Sequence, residues 1–280
     1  MRIACVQFCP EFGKVHKNVE RLNKLLSNYS TALGKTDLIV FPEMALTGYN
    51  FRSKAEILPF AESRDRFDGA SLKFAKTISR LFSCHTIIGF PEIIKNCDKN
   101  AQLYNSTALL GPDGDLLHVY HKHFLYETDK SWAIPGDAFH MYNVDGLGPI
   151  SMAICMDINP FDFKASFDEF EYANFVKSRL STLSQRPVLC LSMSWLASEN
   201  DKNLLQQNGP DITNINYWAT RLSPLIEKDV VIAIANRTGE ERGITFAGTS
   251  CIMTFAKGKV NVHGLLGMKE DGVTFADIKE

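Results

Sequence analysis

Blocks of apolar residues run the length of this chain and switch between two periods. Arg2 to Phe8 reads as a strand closed by Pro10. Val15, Val19, Leu22, Leu25 and Leu26 then recur at helical spacing, and that helix is expected to stop near Gly34. Asp37 to Phe41 is a short apolar strand that turns at Pro42-Glu43. A second helix is predicted over Ser71 to Ser83, with Leu72, Ala75, Ile78 and Leu81 inward, and a buried strand over Thr86 to Phe90. Asn105–Leu110 and Asp115–Tyr120 flank Gly111-Pro112-Asp113-Gly114, whose Pro and Asp-Gly suit a tight turn, so the pair reads as a hairpin. Further strands are predicted over Pro149–Met156, Val188–Met193, Val230–Ala235, Thr245–Gly248 and Cys251–Phe255, the last three completing the strand set. Helices are predicted over Asp168–Leu180 and Asn214–Lys228.

This alternation is the signature of an α/β protein with strands sandwiched by helices. No repeat of fixed period or Pro/Gly-rich linker interrupts it, so residues 1–280 are read as a single domain. Lys plus Arg number 30 and Asp plus Glu 32, giving a net charge of −2, with 45% hydrophobic and 22% charged residues. Those values exclude disorder and nucleic-acid binding by bulk charge. The longest strictly apolar run, Val230 to Ala235, is far below the roughly 18 residues that span a bilayer. The amino terminus enters a strand without an apolar leader, so export is not expected. Cysteines 5, 9, 84, 97, 155, 190 and 251 are odd in number and contain no C-x-x-C pair, which suits free thiols in the cytoplasm or nucleus.

Three polar residues directly follow buried strands, where open α/β sheets place their sites: Glu43, Lys122 and Cys155. An acid, an ammonium and a thiol at three strand exits can converge, although singly a strand-end Glu or Lys meets solvent and a Cys among apolar residues is inert. His118, His121 and His123 suggest a metal cluster, but a further ligand at structural-zinc spacing is missing, so no metal is expected. A papain-like Cys–His pair lacks its local cysteine signature.

The residues around all three resemble the nitrilase superfamily of carbon–nitrogen hydrolases, which use a Glu-Lys-Cys triad in that order. Asp37-Leu38-Ile39-Val40-Phe41-Pro42-Glu43 with Thr47-Gly48-Tyr49 is similar to the first motif. Tyr120-His121-Lys122 is similar to the second, and Ala153-Ile154-Cys155-Met156-Asp157 to the third. Ile3 to Gln7, Asn236 to Gly239 and Phe246 to Ser250 extend the resemblance over Arg2 to Ile278. It implies an α-β-β-α sandwich of two mixed sheets flanked by helices. One departure stands out. Members often carry a second glutamate seven residues before the glycine of a Pro-Gly pair; here that position is Asp129, with Glu127 nearby, and either carboxylate is a candidate for the supporting role.

The resemblance further implies that Cys155 is the nucleophile, that Glu43 moves its proton, and that Lys122 with the Met156 N–H holds the oxyanion. No metal or organic cofactor enters such a cycle. Ile154 to Asp162, Phe167 to Tyr172 and Ser192 to Leu196 are most similar to the branch that deamidates N-terminal asparagine or glutamine of proteins, a step of the N-degron pathway. Protein or peptide N-termini are then the expected partners, with no nucleic acid and no membrane, and the chain a monomer or homodimer. Such a substrate presents an α-ammonium, so a pocket carboxylate is expected from Asp157, Asp129 or Glu127, with Tyr49, Trp132 and Trp195 as walls. Alternatively these acids pair with Arg237 or Lys130 and only support loops. A small-molecule ω-amidase or carbamoyl amidohydrolase with the same triad, and a catalytically silent peptide-binding module, are the competing functions.

Overall fold

The computed structural model describes residues 1–95, 101–198 and 208–279. In chain order the strands are β1 (Arg2–Gln7), β2 (Leu38–Val40), β3 (His85–Lys95), β4 (Ala101–Leu110), β5 (Leu116–His121), β6 (Tyr142–Val144), β7 (Gly148–Ile154) and β8 (Val188–Met193). There follow β9 (Val230–Asn236), β10 (Glu240–Glu241), β11 (Ile244–Thr245), β12 (Cys251–Ala256), β13 (Lys259–Leu265) and β14 (Gly272–Asp277). Two six-stranded sheets result, in the orders β14-β1-β2-β3-β4-β5 and β13-β12-β9-β8-β7-β6. Each mixes parallel pairs, β1/β2/β3 and β7/β8/β9, with antiparallel neighbours.

Strand alternation explains the layering. Ile3 and Cys5 of β1 point between the sheets, where they join Val40, Ile87, Met152, Cys190 and Ala233. Ala4 and Val6 point outward, under Leu22 and Leu26 of the helix Val15–Ser27 and Leu72, Ala75 and Ile78 of the helix Ala70–Phe82. On the other sheet Leu189, Leu191 and Met193 pack outward against Tyr172 and Val176 of Glu171–Arg179 and Trp218 of Ile212–Arg221. Strands buried on both faces read as apolar runs, and the architecture is the α-β-β-α sandwich.

Several boundaries differ from expectation. The first helix ends at Ser27, and Ser30–Leu33 forms a separate turn. Leu81 is 67% exposed because the helix stops at Phe82 and Ser83 turns left-handed. β3 continues through Pro91, which lies beyond the end of β2; there Glu62 forms a single bridge that uses the Pro91 carbonyl and the Ile93 N–H, so the missing Pro91 N–H is not called on. The helix expected over Asp168–Leu180 begins only at Glu171, because Phe170 is left-handed. The last helix starts earlier, capped by Asp211, and ends at Arg221 before Pro224. The strand expected over Thr245–Gly248 is reduced to a two-residue pairing of β10 with β11. The strand set is not complete at Phe255, since β13 and β14 follow it; β13 is an edge strand exposed at almost every position, so it lacks an alternating pattern.

The six described cysteines are free, and Cys97 lies outside the described residues. Among the described residues no helix is long and apolar enough to cross a membrane.

Candidate active site

Glu43, Lys122 and Cys155 leave the ends of β2, β5 and β7, so two come from one sheet and the third from the other. The Pro42-Glu43 turn lies directly on Gly89 of β3: a Cβ there would be 2.6 Å from Glu43 Cα, so only glycine admits this approach. Cys155 has φ +41°, a left-handed conformation that non-glycine residues adopt at some cost and that is common at functional turns. It opens the 3₁₀ turn Cys155–Ile158 and is packed at the junction of both sheet cores.

Lys122 is fully buried between two carboxylates. Its Nζ donates to Glu43 Oε1 at 2.7 Å and to Asp129 Oδ2 at 2.6 Å. Asn105, on β4, donates through Nδ2 to the same two acids at 2.7 and 3.0 Å. The Tyr126 N–H and the Tyr49 hydroxyl also donate to Asp129. In this network Glu43 Oε2 and Asn105 Oδ1 have no partner, which leaves one oxygen of the Glu43 carboxylate uncommitted.

Burial raises the Glu43 pKa, and the charge of Asp129 adds to the rise, against the lowering pull of Lys122 and Asn105. For Lys122, burial works against the ammonium, yet Asp129 and Glu43 outweigh it and hold the amine protonated above its ordinary range. The Cys155 thiol is pushed well up by burial and by Glu43, opposed by Lys122 and the Ser194 N–H. Burial and the Glu43 charge thus favour the thiol over the thiolate at this position.

Cys155 opens into a cavity of about 270 Å³, with Tyr49, Tyr126, Met156, Phe163, Trp195 and Tyr217 among its lining residues. Tyr49, Met156 and Trp195, three of the residues singled out in the sequence, are thus brought together in this lining. Trp132 is not among them; it is buried in a core cluster with Phe51 and Ile57. Of the two candidate supporting carboxylates, Asp129 is the one on Lys122, while Glu127 is exposed on the short helix Glu127–Lys130. Asp157 does not line the cavity. It accepts from the N–H groups of His123, Phe124 and Ile154 and from the Tyr120 hydroxyl, tying the Cys155 turn to the Lys122 loop. Burial raises its pKa, and those backbone donors oppose the rise.

Neither Arg237 nor Lys130 pairs with these acids, for Arg237 binds Glu241 and Lys130 binds Asp162. His121 meets Glu92 and Arg64, His123 meets the Gly136 carbonyl, and His118 stacks on Tyr142. Among the described residues no three His, Cys, Asp or Glu side chains are grouped to hold a metal. Sequence reading missed Asn105, Asn159, Asn214 and Tyr217. Only Asn105 left a trace, as a polar residue facing inward from an apolar hairpin strand.

The class to which this fold and site belong is that of the carbon–nitrogen hydrolases. The carbon–nitrogen hydrolase signature matches residues 2–160, and the chain belongs to that family. It is 48% identical over the full length of both chains to the protein N-terminal amidase of Schizosaccharomyces pombe. It is 34% identical to the protein N-terminal amidase of Saccharomyces cerevisiae over 74% of this chain and 48% of that one. The crystal structure of an N-terminal amidase with an Asn-Glu-Ala peptide superposes with a TM-score of 0.84, over 99% of this chain and 97% of that one, at 22% identity.

Proposed function

We propose that this protein hydrolyses the side-chain amide of an N-terminal asparagine or glutamine in peptides and proteins, giving aspartate or glutamate and ammonia. The observation that carries this reading is Cys155 in the lining of a cavity of about 270 Å³, together with the buried Glu43–Lys122–Asp129 network, in a chain 48% identical throughout to a protein N-terminal amidase.

An amide needs a strong nucleophile and a proton for its leaving nitrogen. Glu43 Oε2 takes the Cys155 proton as sulfur attacks the amide carbon. Negative charge moves to the former carbonyl oxygen, which Lys122 and the Met156 N–H stabilise. A well-aimed donor at such an oxygen is worth about 3–4 kcal/mol. Glu43 passes its proton to nitrogen, the carbon–nitrogen bond breaks, and ammonia leaves a Cys155 thioester. Water then attacks that carbonyl while Glu43 accepts its proton and returns it to the departing sulfur. Asp129 and Asn105 keep Lys122 charged and Glu43 oriented throughout.

Ammonia release from Asn- and Gln-starting peptides, set against free asparagine, free glutamine and N-acetylated peptides, tests the proposal. Turnover is expected for the peptides with a free amine. Faster turnover of free glutamine than of a Gln-starting peptide assigns the triad to a small-molecule amidase instead.

A further inference from the structure

Residues 159–170 join the 3₁₀ turn Cys155–Ile158 to the helix Glu171–Arg179. Phe161, Phe163 and Phe167 of this segment are exposed, so its shape depends on restraints other than their burial. Asp162, Phe163 and Phe170 have φ of 55°, 52° and 45°, a left-handed backbone that non-glycine residues keep only where the surroundings impose it. Asn159 and Phe163 also line the cavity into which Cys155 opens, and the segment forms one lip of it.

The restraint comes from Arg221, the last residue of the helix Ile212–Arg221, whose side chain is buried and grips the segment at both ends. Its Nε donates to the Ile158 carbonyl at 2.7 Å, Nη1 donates to the Phe167 carbonyl, and Nη2 donates to Glu171 Oε2 at 3.1 Å. Glu171 extends the hold, since its Oε1 accepts from the Phe161 N–H at 2.9 Å. The rings of Phe167 and Phe170 lie against the guanidinium, their centroids 4.9 and 5.0 Å from Cζ. A planar fork with fixed donor directions meets three such acceptors at once, and a single ammonium does not. One turn earlier on the same helix, the Tyr217 hydroxyl donates to Asn159 Oδ1 at 2.7 Å, so helix and lip are also joined beside the cavity. The reacting groups are held separately. Glu43 and Lys122 leave strands of the other sheet, and the Ile154 N–H that precedes Cys155 is tied to Asp157.

We propose that Arg221 is a positioning residue for the substrate: by clamping Ile158, Phe167 and Glu171 it sets the shape of the Asn159–Phe163 lip, and with it how tightly the cavity holds its ligand, without touching the reacting atoms. The inference rests on the reading of that ligand as a peptide starting with Asn or Gln. Loss of the clamp weakens binding of substrate and transition state alike, which raises KM, while Cys155, Glu43 and Lys122 keep their arrangement and therefore kcat.

The test measures kcat and KM for a Gln-starting peptide in the wild-type chain, Arg221→Lys and Glu171→Gln, together with the rate at which iodoacetamide alkylates Cys155, followed by mass spectrometry. Arg221→Lys is expected to raise KM about tenfold and to leave kcat and the alkylation rate within about twofold of wild type, since the small reagent needs only the thiol. Glu171→Gln leaves one amide oxygen for two donors, loosens the Phe161 end alone, and is expected to raise KM about threefold. A wild-type KM in either variant overturns the proposal. So does a fall in kcat at unchanged KM, or alkylation that slows in step with kcat/KM, because each places the effect on the reacting groups. Glu171 is partly exposed at a helix start, so Glu171→Gln decides the matter if Arg221→Lys fails to fold. Wild-type turnover of free glutamine with none of the peptides defeats the functional reading itself, a result distinct from all of these.

Discussion

Replacing Lys122 by methionine removes the only cation between two buried acids, and its consequence for stability can be worked out from the structure. Lys122, Glu43 and Asp129 all have fully buried side chains, and the ammonium contacts both carboxylates within 2.7 Å. Breaking a buried ion pair by deleting one partner costs about 3–5 kcal/mol, because the remaining charge is left without compensation. In a chain of this size each kcal/mol moves Tm by about 2–4 °C, so Lys122→Met is expected to melt roughly 6–20 °C lower near neutral pH. Glu43 already titrates above its ordinary range, and loss of Lys122 raises it further. An acid that binds its proton more tightly when folded contributes stability below the ordinary carboxylate range and loses it as pH rises from there through its raised folded value. The deficit of Lys122→Met therefore shrinks on acidification. Neutralising all three groups, as Lys122→Met with Glu43→Gln and Asp129→Asn, strands no charge and is expected to return to within about 2 kcal/mol of wild type. Thermal unfolding followed by circular dichroism measures all of these, and since every variant is inactive, activity does not confuse the comparison. A single variant as stable as wild type, or a triple variant no more stable than the single one, refutes the reasoning.

Cys155→Ala is expected to abolish ammonia release with the fold intact, and Cys155→Ser to be nearly as damaging, since an alcohol ionises far less readily; activity and Tm measured together check this. The acidic limb of the pH–kcat/KM profile reports Glu43 and is expected above the usual carboxylate range. Because Asp129 helps to raise it, Asp129→Asn should slow the enzyme and move that limb to lower pH; an upward shift contradicts the assignment. Gly89→Ala presses a methyl onto the Glu43 backbone at 2.6 Å and is expected to cost about 1–3 kcal/mol in urea unfolding. Its activity should fall about 100-fold, as a displaced catalytic group requires.

The strand ends were legible because double burial writes long apolar runs, and the three reactive residues follow such runs directly. The same logic explains why β13 escaped: an exposed edge strand has no buried face to impose a pattern. Spacing alone left Glu127 and Asp129 as alternatives, and the turn Glu127–Lys130 decides between them by aiming Asp129 at Lys122 and Glu127 at solvent. Asp157 was misplaced for a comparable reason. A carboxylate two residues from a nucleophile reads as part of the pocket, whereas the 3₁₀ turn after Cys155 directs it back to the Ile154 N–H and the loop after β5. Of the cavity walls, Trp195 was legible with its Ser192–Leu196 stretch, whereas Tyr126 and Tyr217 are distant from it in sequence and marked by no local pattern.

The central claim is that Cys155 forms a thioester with the side-chain acyl group of an N-terminal amide. Turnover of a Gln-starting peptide in the presence of hydroxylamine tests it most directly, because a thioester partitions between water and the added nucleophile. The account predicts a peptide γ-hydroxamate, seen by mass spectrometry, that grows at the expense of the Glu-starting product and disappears in Cys155→Ala. A Glu-starting product alone at every hydroxylamine concentration, or a hydroxamate that persists in Cys155→Ala, would contradict it.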